Sequence, residues 1–540
     1  MERRWTRSQG SSRRDAMSQA IKTQEPKERE GGGLLHRLFE RVAYGTSTSD
    51  ADSESAAKAA LDLRDIQGII LRGYKMPMVR HFLLNVGVPA EARKVLGRLV
   101  SGDETDAPQI TTAEEWQVGF EPGPGDNVKD RPRNKPDYCL NVGITWAGLI
   151  GLEIKDRVPA LSFKSFEAFT AGAAARAELI GDVGASAPQN WVGGFGTGSD
   201  HVMMTLYAIS PEAMTSYSDR LSALFAEGNA FREIWRTDGM ALREMVGGKP
   251  TFTSKLHFGY TDGISRTTIR GGPERYAPDH QQPSEPWLFV LQDGAENYFV
   301  PEPEELGRNG SFAVFKMIVT DVVGFEDNLQ KNKDKIDPEL LAAKMCGRWR
   351  NGVPLALSPE SDSPAGISAD QLNNFGYVNA DGSGDPRGLR CPVGAHIRRV
   401  NPRDQPVTGQ GEPGGSNNSH RMIRRGMPYG PVYDPTKPYD GIERGLLGYF
   451  INASIENQYE FVLRHWVNDS EFTGAVRLNP KSKDPIAGTQ DPAESIFVIP
   501  QANGAAPIEI KGFSSFLRTK ATAYCFLPSI TALKFMSKLG

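Results

Sequence analysis

The chain has 540 residues, 24% of them charged and 39% hydrophobic, with a formal net charge of −4. That length suits one large or two medium domains with substantial cores, and two is the expectation. The slightly acidic total gives no electrostatic basis for binding nucleic acid or another polyanion, so any basic patch has to be local.

No run of about eighteen apolar residues is present, and MERRWTRSQGSSRRDAMSQ lacks the apolar core of a secretory signal. The expectation is a chain without a transmembrane segment, cytoplasmic or at least not exported by a recognisable signal peptide. Cys139, Cys346, Cys391 and Cys525 lie far apart with no CxxC, which argues against a zinc site, an iron–sulfur cluster or a disulfide scaffold.

Residues 1–60 mix Arg, Ser, Glu and Gly around the short amphipathic LLHRLFERV, too little apolar surface to fold alone, which predicts a flexible extension. DIQGIILRGY (Asp65–Tyr74) reads as a β-like run able to pair with MVRHFLLNVG. Ser101–Pro136, polar and rich in Pro and Gly, reads as a long surface insertion. GITWAGLIGLEI and SFEAFTAGAAARAELIG are predicted helical. HVMMTLYAIS is predicted a strand, and PEAMTSYSDRLSALFAEGNAF, which opens with Pro and keeps apolar residues at helical spacing, a helix.

The second half repeats these ingredients. PWLFVLQ and SFAVFKMIVTDV look like strands, and DPELLAAKMCGRW like a helix with Asp337 as N-cap and Pro338 at its first position. A long loop follows, then a strand at GLLGYFINAS, a helix at IENQYEFVLRHWVND, an insertion and the apolar TAYCFLPSITALKFM. Strands and helices alternate without the regular βαβ spacing of a doubly wound fold, which predicts α+β with mainly antiparallel sheet.

Three segments carry residues suited to chemistry. HFGYTDGISRTTIRGG sets Asp262 before Gly263 in a turn, although an Asp-Gly pair alone is most often only a turn. RCPVGAHIRRVNPRD places His396 after small residues that would let a planar group approach the backbone, and before Arg398, Arg399 and Arg403. A lone histidine is more often structural, and the arginines also suit a solvated or phosphate-facing strand edge. In HRMIRRGMPYG, alternation turns one of Arg424 and Arg425 inward, where a guanidinium needs an acidic or anionic partner. A carboxylate, an imidazole and an inward arginine are the set needed to split a peroxide on haem iron. Peroxidase iron takes a proximal histidine, while O–O cleavage needs a base to move the proton and a cation to meet the charge on the leaving oxygen.

On these residues the chain resembles the dye-decolorizing peroxidases, the DyP-type haem peroxidases. GYTDG fits the family's GxxDG motif, RCPVGAHIRRVNPR its proximal-histidine segment, and IRRGMPYG the strand of its distal arginine. Weaker matches at DIQGIILRGY, GITWAGL, DPELLAAKMCGRWR, IENQYEFVLRHWVN and YCFLPSI extend the likeness over roughly residues 65–540. The resemblance implies two ferredoxin-like α+β domains, residues 61–265 and 266–540, with antiparallel sheets packed between helices (the dimeric α/β-barrel type) and haem held mainly by the second.

It further implies that His396 ligates the iron, that Asp262 and Arg424 are the distal catalytic groups beside cofactor-binding Gly263, and that Arg425 points away. Arg403 is assigned to a haem propionate, since a fixed guanidinium pairs well with a carboxylate. A proximal imidazole normally donates its other N–H to an acceptor, the resemblance implies an acidic one, and Asp469 and Glu471 are both candidates. Gly448 stands where an aromatic residue is expected over the distal face.

The implied cofactor is haem b (iron protoporphyrin IX), non-covalent because CxxCH is absent. The implied partners are hydrogen peroxide and aromatic small-molecule reductants, dyes and phenols oxidised in one-electron steps; the oligomeric state is left open. Trp349 and Trp466 read as core. The competing function is a haem-binding or haem-handling protein without significant turnover, against which Asp262 with Arg424 argues because storage needs neither. An RNA-contacting reading of the arginine segments is disfavoured by the acidic total.

Overall fold

The computed structural model describes residues 61–102, 107–114, 136–273, 283–292, 300–364, 366–379, 381–407, 417–434, 436–437, 439–473 and 481–540. The extension expected at residues 1–60 and most of the insertion expected at Ser101–Pro136 lie outside the described residues. Eight β-rich runs form one sheet: β1 Met78–Val86, β2 Tyr138–Ile144, β3 Val202–Ala208, β4 Phe231–Met240, β5 Ser311–Thr320, β6 Ile423–Tyr429, β7 Gly445–Asn452 and β8 Leu517–Leu527. Their order is β4-β1-β3-β2-β8-β5-β7-β6, with antiparallel neighbours throughout.

Strands β1–β4 and strands β5–β8 each follow the same order: fourth, first, third, second. This is the ferredoxin-like order, so the sheet consists of two such halves side by side. In the first half, helices α1 (Pro89–Ser101) and α2 (Pro211–Ala226) follow the first and third strands. In the second, α3 (Val322–Lys331) and α4 (Pro338–Cys346) follow β5, and the π-helical turns Ile455–Glu460 and Val462–Val467 follow β7. The halves meet at one ladder pair, Ile144 with Phe526. The buried Gln67 amide reinforces that seam, its Nε2 donating to the Val142 and Pro528 carbonyls at 2.8 Å each and its Oε1 accepting from the Val142 amide. The sheet curls until Met427 of β6 packs on Gly239 of β4, but these edges share no ladder and no barrel closes.

Alternation divides the sheet into two faces. One buries Phe82, Leu84, Met204, Phe312 and Phe526 under α1, α2 and the terminal helix α5 (Ile530–Ser537); the other gathers Leu83, Met203, Phe315, Leu447 and Tyr449. In the second half the first face continues into a cavity instead of a packed core.

Several elements differ from expectation. DIQGIILRGY contains a short buried helix, Gly68–Leu71, and PWLFVLQ contains a 3₁₀ turn, Pro286–Leu288. Both are short apolar runs, whose periodicity does not distinguish a strand from any other buried segment. The helical stretches after β2 divide into pieces of four to six residues, the Glu167–Ala171 piece ending at Gly172, whose φ of 80° an α-helix does not accept. Asp337 caps α4 as expected, its carboxylate accepting from the Leu340 amide at 2.9 Å. The four cysteines are free and buried, and Trp349 and Trp466 are core residues. Among the described residues no helix is long and apolar enough to cross a membrane.

His81 lies fully buried on the second face, its Nδ1 3.0 Å from the Thr205 hydroxyl, which lies 2.8 Å from that of Tyr449. Burial pushes its pKa down to about 3, against a smaller upward pull from Asp238. The unfolded imidazole titrates near 6.5, so as pH falls the unfolded chain takes the proton first and stability is lost from about pH 6.5 downwards. The stability difference between the native chain and His81→Phe should therefore shift by up to about 1.4 kcal/mol per pH unit below that point and stay level above pH 7. Denaturant unfolding at several pH values measures it, and a difference that stays constant from pH 4 to 7 contradicts it.

Candidate active site

The GYTDG turn is held from outside itself. The Asp262 amide donates to Ser254 O and the Thr261 amide to Arg350 O, each at 2.8 Å. Gly263 has φ 77°, the left-handed region that favours glycine, and a Cβ there would stand 2.9 Å from Arg266 Nη2. The turn presents the Asp262 carboxylate to Arg424, whose Nη2 donates to Asp262 Oδ1. Arg424 projects from β6 opposite Phe450 of β7, so both side chains leave the same face. Arg425 leaves the other face, where its Nε donates to Ile69 O at 3.0 Å.

His396 opens the short helix His396–Val400. Its Nδ1 lies 2.8 Å from Oδ2 of Asp484, a fully buried carboxylate whose Oδ1 accepts from the Ile486 and Ala487 amides at 2.9 Å each. Burial raises the Asp484 pKa, but the facing imidazole and the amide donors outweigh it and hold the carboxyl below its usual value. The acid beside His396 is therefore neither Asp469 nor Glu471. Asp469 Oδ1 accepts from the Glu471 amide in a local turn, while the Asp469 carbonyl accepts from Arg399. Asp484 sits 88 residues from His396 in KSKDPIAG, a segment whose Lys, Pro and Gly content reads as an insertion. Its Asp-Pro pair was the only local signal.

The arginines after His396 are interior struts rather than a solvated edge. Arg398 and Arg399 are completely buried. Arg398 donates to Gln405 Oε1, Cys391 O and Asp385 O, and Arg399 to the carbonyls of Gly394, Trp466, Asp469 and Ser482. Burial pushes the Arg399 pKa down to about 10, with Asp484 and Asp469 pulling it up. Arg403 donates to Asn373 O, Phe375 O and Asn373 Oδ1 at 3.0, 3.1 and 2.6 Å and stacks on the Phe375 ring. The small residues before His396 do not face the cavity: Gly394 looks toward Phe497 and Ser482.

Asp262, Gly263, His396, Arg403 and Arg424 line one cavity of about 1210 Å³, above the roughly 300–1,000 Å³ common for small-ligand sites. Gly448 contributes no wall. Its φ is 146°, and a Cβ would lie 2.0 Å from Arg425 O in the neighbouring strand, so the aromatic beside Arg424 is Phe450. Among the described residues no three His, Cys, Asp or Glu side chains gather to hold an ion, and His396 Nε2 makes no hydrogen bond. Iron at that nitrogen would need its other ligands from a macrocycle, and a cavity of this size with a single oriented imidazole fits haem.

No family model matches the chain. Peroxidase 2 of Mycetinis scorodonius is 27% identical over 509 residues, 90% of each chain. A dye-decolorizing peroxidase of Mycena epipterygia is 28% identical over 448 residues, covering 80% of this chain and 76% of that one. Among solved structures, an ancestral D-type dye-decolorizing peroxidase is 26% identical with a TM-score of 0.69, covering 88% of this chain and 99% of that one. A fungal DyP-type peroxidase from Auricularia auricula-judae, 22% identical with a TM-score of 0.70, shares the fold over 89% of this chain and 99% of that one. With the three motifs in order, their side chains around one cavity and relatives matched along most of its length, the chain is similar to the dye-decolorizing peroxidases in both sequence and fold.

Proposed function

We propose that the protein binds haem b non-covalently through His396 and uses hydrogen peroxide to oxidise dyes and phenols in one-electron steps. The observation that carries this reading is one cavity lined by both an Asp262–Arg424 ion pair and an Asp484-oriented imidazole. When bound, haem would supply the redox chemistry that passes the two oxidising equivalents of peroxide to one-electron donors.

The chain's own residues do the rest. His396 Nε2 holds the iron, and Asp484, accepting at Nδ1, fixes the ring's rotation and makes Nε2 more electron-donating. The Asp262 carboxylate takes the proton from one peroxide oxygen and delivers it to the other. Arg424 orients that carboxylate by hydrogen bond and sets its own charge against the leaving oxygen. Gly263, with no side chain, lets the backbone approach the macrocycle, and Arg403 stands in the wall as the propionate partner.

A carrier without turnover has no use for a paired acid and guanidinium, whereas peroxide cleavage needs both. Peroxide-dependent bleaching of a dye above the level given by free haem separates the two readings, and bleaching no faster than free haem favours the carrier.

Asp484→Ala should release haem to a scavenger with about 10–100-fold weaker retention. Retention equal to the native chain's contradicts Asp484's part. Asp262→Asn and Arg424→Leu should keep haem and slow the reaction with peroxide by about 10²–10⁴-fold. Stopped-flow absorbance measures this, and native rates in both variants overturn the assigned roles.

A further inference from the structure

The cavity does not end at the haem-side groups: it continues past the edge strand β6 onto the second face of the sheet. Ile423, Arg425 and Met427 alternate with Arg424 along β6 and so leave that second face. All three line the cavity, together with Tyr207 of β3 and Ile69, Leu71, Tyr74 and Met76 from the chain before β1. Lys75 in the same wall is exposed, so this part opens to solvent. The peroxide mechanism uses none of these groups.

An inward guanidinium needs an anionic partner, and of the two adjacent arginines only Arg424 has one, in Asp262. Arg425 is half-buried, and the one hydrogen bond its guanidinium makes among the described residues runs from Nε to Ile69 O at 3.0 Å. Both Nη atoms keep donors to give. Beside it stand two tyrosines, their ring centroids 5.2 Å apart and their planes at 71°. The Tyr74 hydroxyl donates to Asn141 Oδ1 at 2.8 Å, whereas that of Tyr207 makes no hydrogen bond among the described residues. Burial pushes the Tyr207 pKa up, against a smaller downward pull from Arg425, so the hydroxyl keeps a proton to donate. The wall around these two groups is aliphatic, from Ile69, Leu71, Met76, Ile269 and Met427.

We infer that this second-face pocket binds an aliphatic carboxylate, its head held by Arg425 and the Tyr207 hydroxyl and its chain laid along Ile69, Leu71, Met76 and Met427. A guanidinium meets a carboxylate through paired N–H groups, so the charge and the fork of donors both select an anion with two oxygens. Branched and thioether side chains carry no polar group for a ligand to satisfy, and they suit a saturated chain. A saturated acid gives up no electron readily, which makes it a bound ligand and not a donor to haem. The site needs neither iron nor peroxide, since β6 stands between it and the Arg424 side.

The test is calorimetric titration of the haem-loaded, full-length chain with octanoate, and with octanamide as a control of the same shape without the charge. Octanoate should bind, and the amide about 10–100-fold more weakly, the worth of hydrogen bonds to a charged group. Arg425→Gln should weaken octanoate by a similar factor and leave the amide unchanged, and Tyr207→Phe should weaken octanoate about tenfold. Arg424→Leu should keep native affinity, and the haem absorption spectrum should not move on adding octanoate. No binding of octanoate, equal binding of octanoate and octanamide, or native affinity in Arg425→Gln overturns the proposal. So does a loss of affinity confined to Arg424→Leu or a shifted haem spectrum, either of which puts the anion on the haem side. Binding is read without peroxide, so failure here leaves the peroxidase reading standing, and a chain without turnover that binds octanoate in this pattern upholds the site alone.

Discussion

The contact between His396 Nδ1 and Asp484 is the interaction on which the site depends. A fully buried carboxylate is tolerable only with its lone pairs engaged, and Asp484 engages one oxygen with two backbone amides and the other with the imidazole. The ring is thereby held, with Nε2 free of the protein. Arg399 secures the arrangement from behind, joining the turn before His396 to the carbonyls of Trp466, Asp469 and Ser482, and Ser482 lies two residues before Asp484. Its burial is the cost of that fastening: the four carbonyls replace water around the guanidinium.

The opposite wall rests on strand register. Pairing Arg424 with Phe450 and Gly426 with Gly448 sends one guanidinium into the cavity and its neighbour, Arg425, toward Ile69. A slip of one residue would exchange the two arginines and bring Tyr449 to the cavity face. The glycine pair resists such a slip, because Gly448 has a φ of 146° and no room for a Cβ against Arg425 O. Placement of the Arg424 guanidinium in the cavity and sheet pairing are in this sense one constraint.

Much of this was legible in the residues because it depends on local rules. Strands such as β3, β5 and β7 are continuous apolar runs, and Asp337 followed by Pro338 announces α4. The requirement that an inward guanidinium find an anion is met by Asp262. What was not legible depends on distant partners. Asp484 becomes the histidine's acceptor only once the chain returns across 88 residues, and an Asp-Pro pair, which as often marks a plain turn, is all that KSKDPIAG offers. Arg398 and Arg399 look solvated as letters, and become interior only because loop carbonyls converge on them. Gly448 stands where an aromatic was expected, yet Phe450 supplies the ring, a matter of pleat rather than composition.

The central claim is that His396 is the iron ligand, and haem titration of the full-length chain against His396→Ala tests it most directly. The account predicts that the native chain takes up one haem with a Soret band that changes on adding one equivalent of hydrogen peroxide, and that the variant binds haem far more weakly. A variant that retains haem with native affinity and an identical spectrum would contradict it.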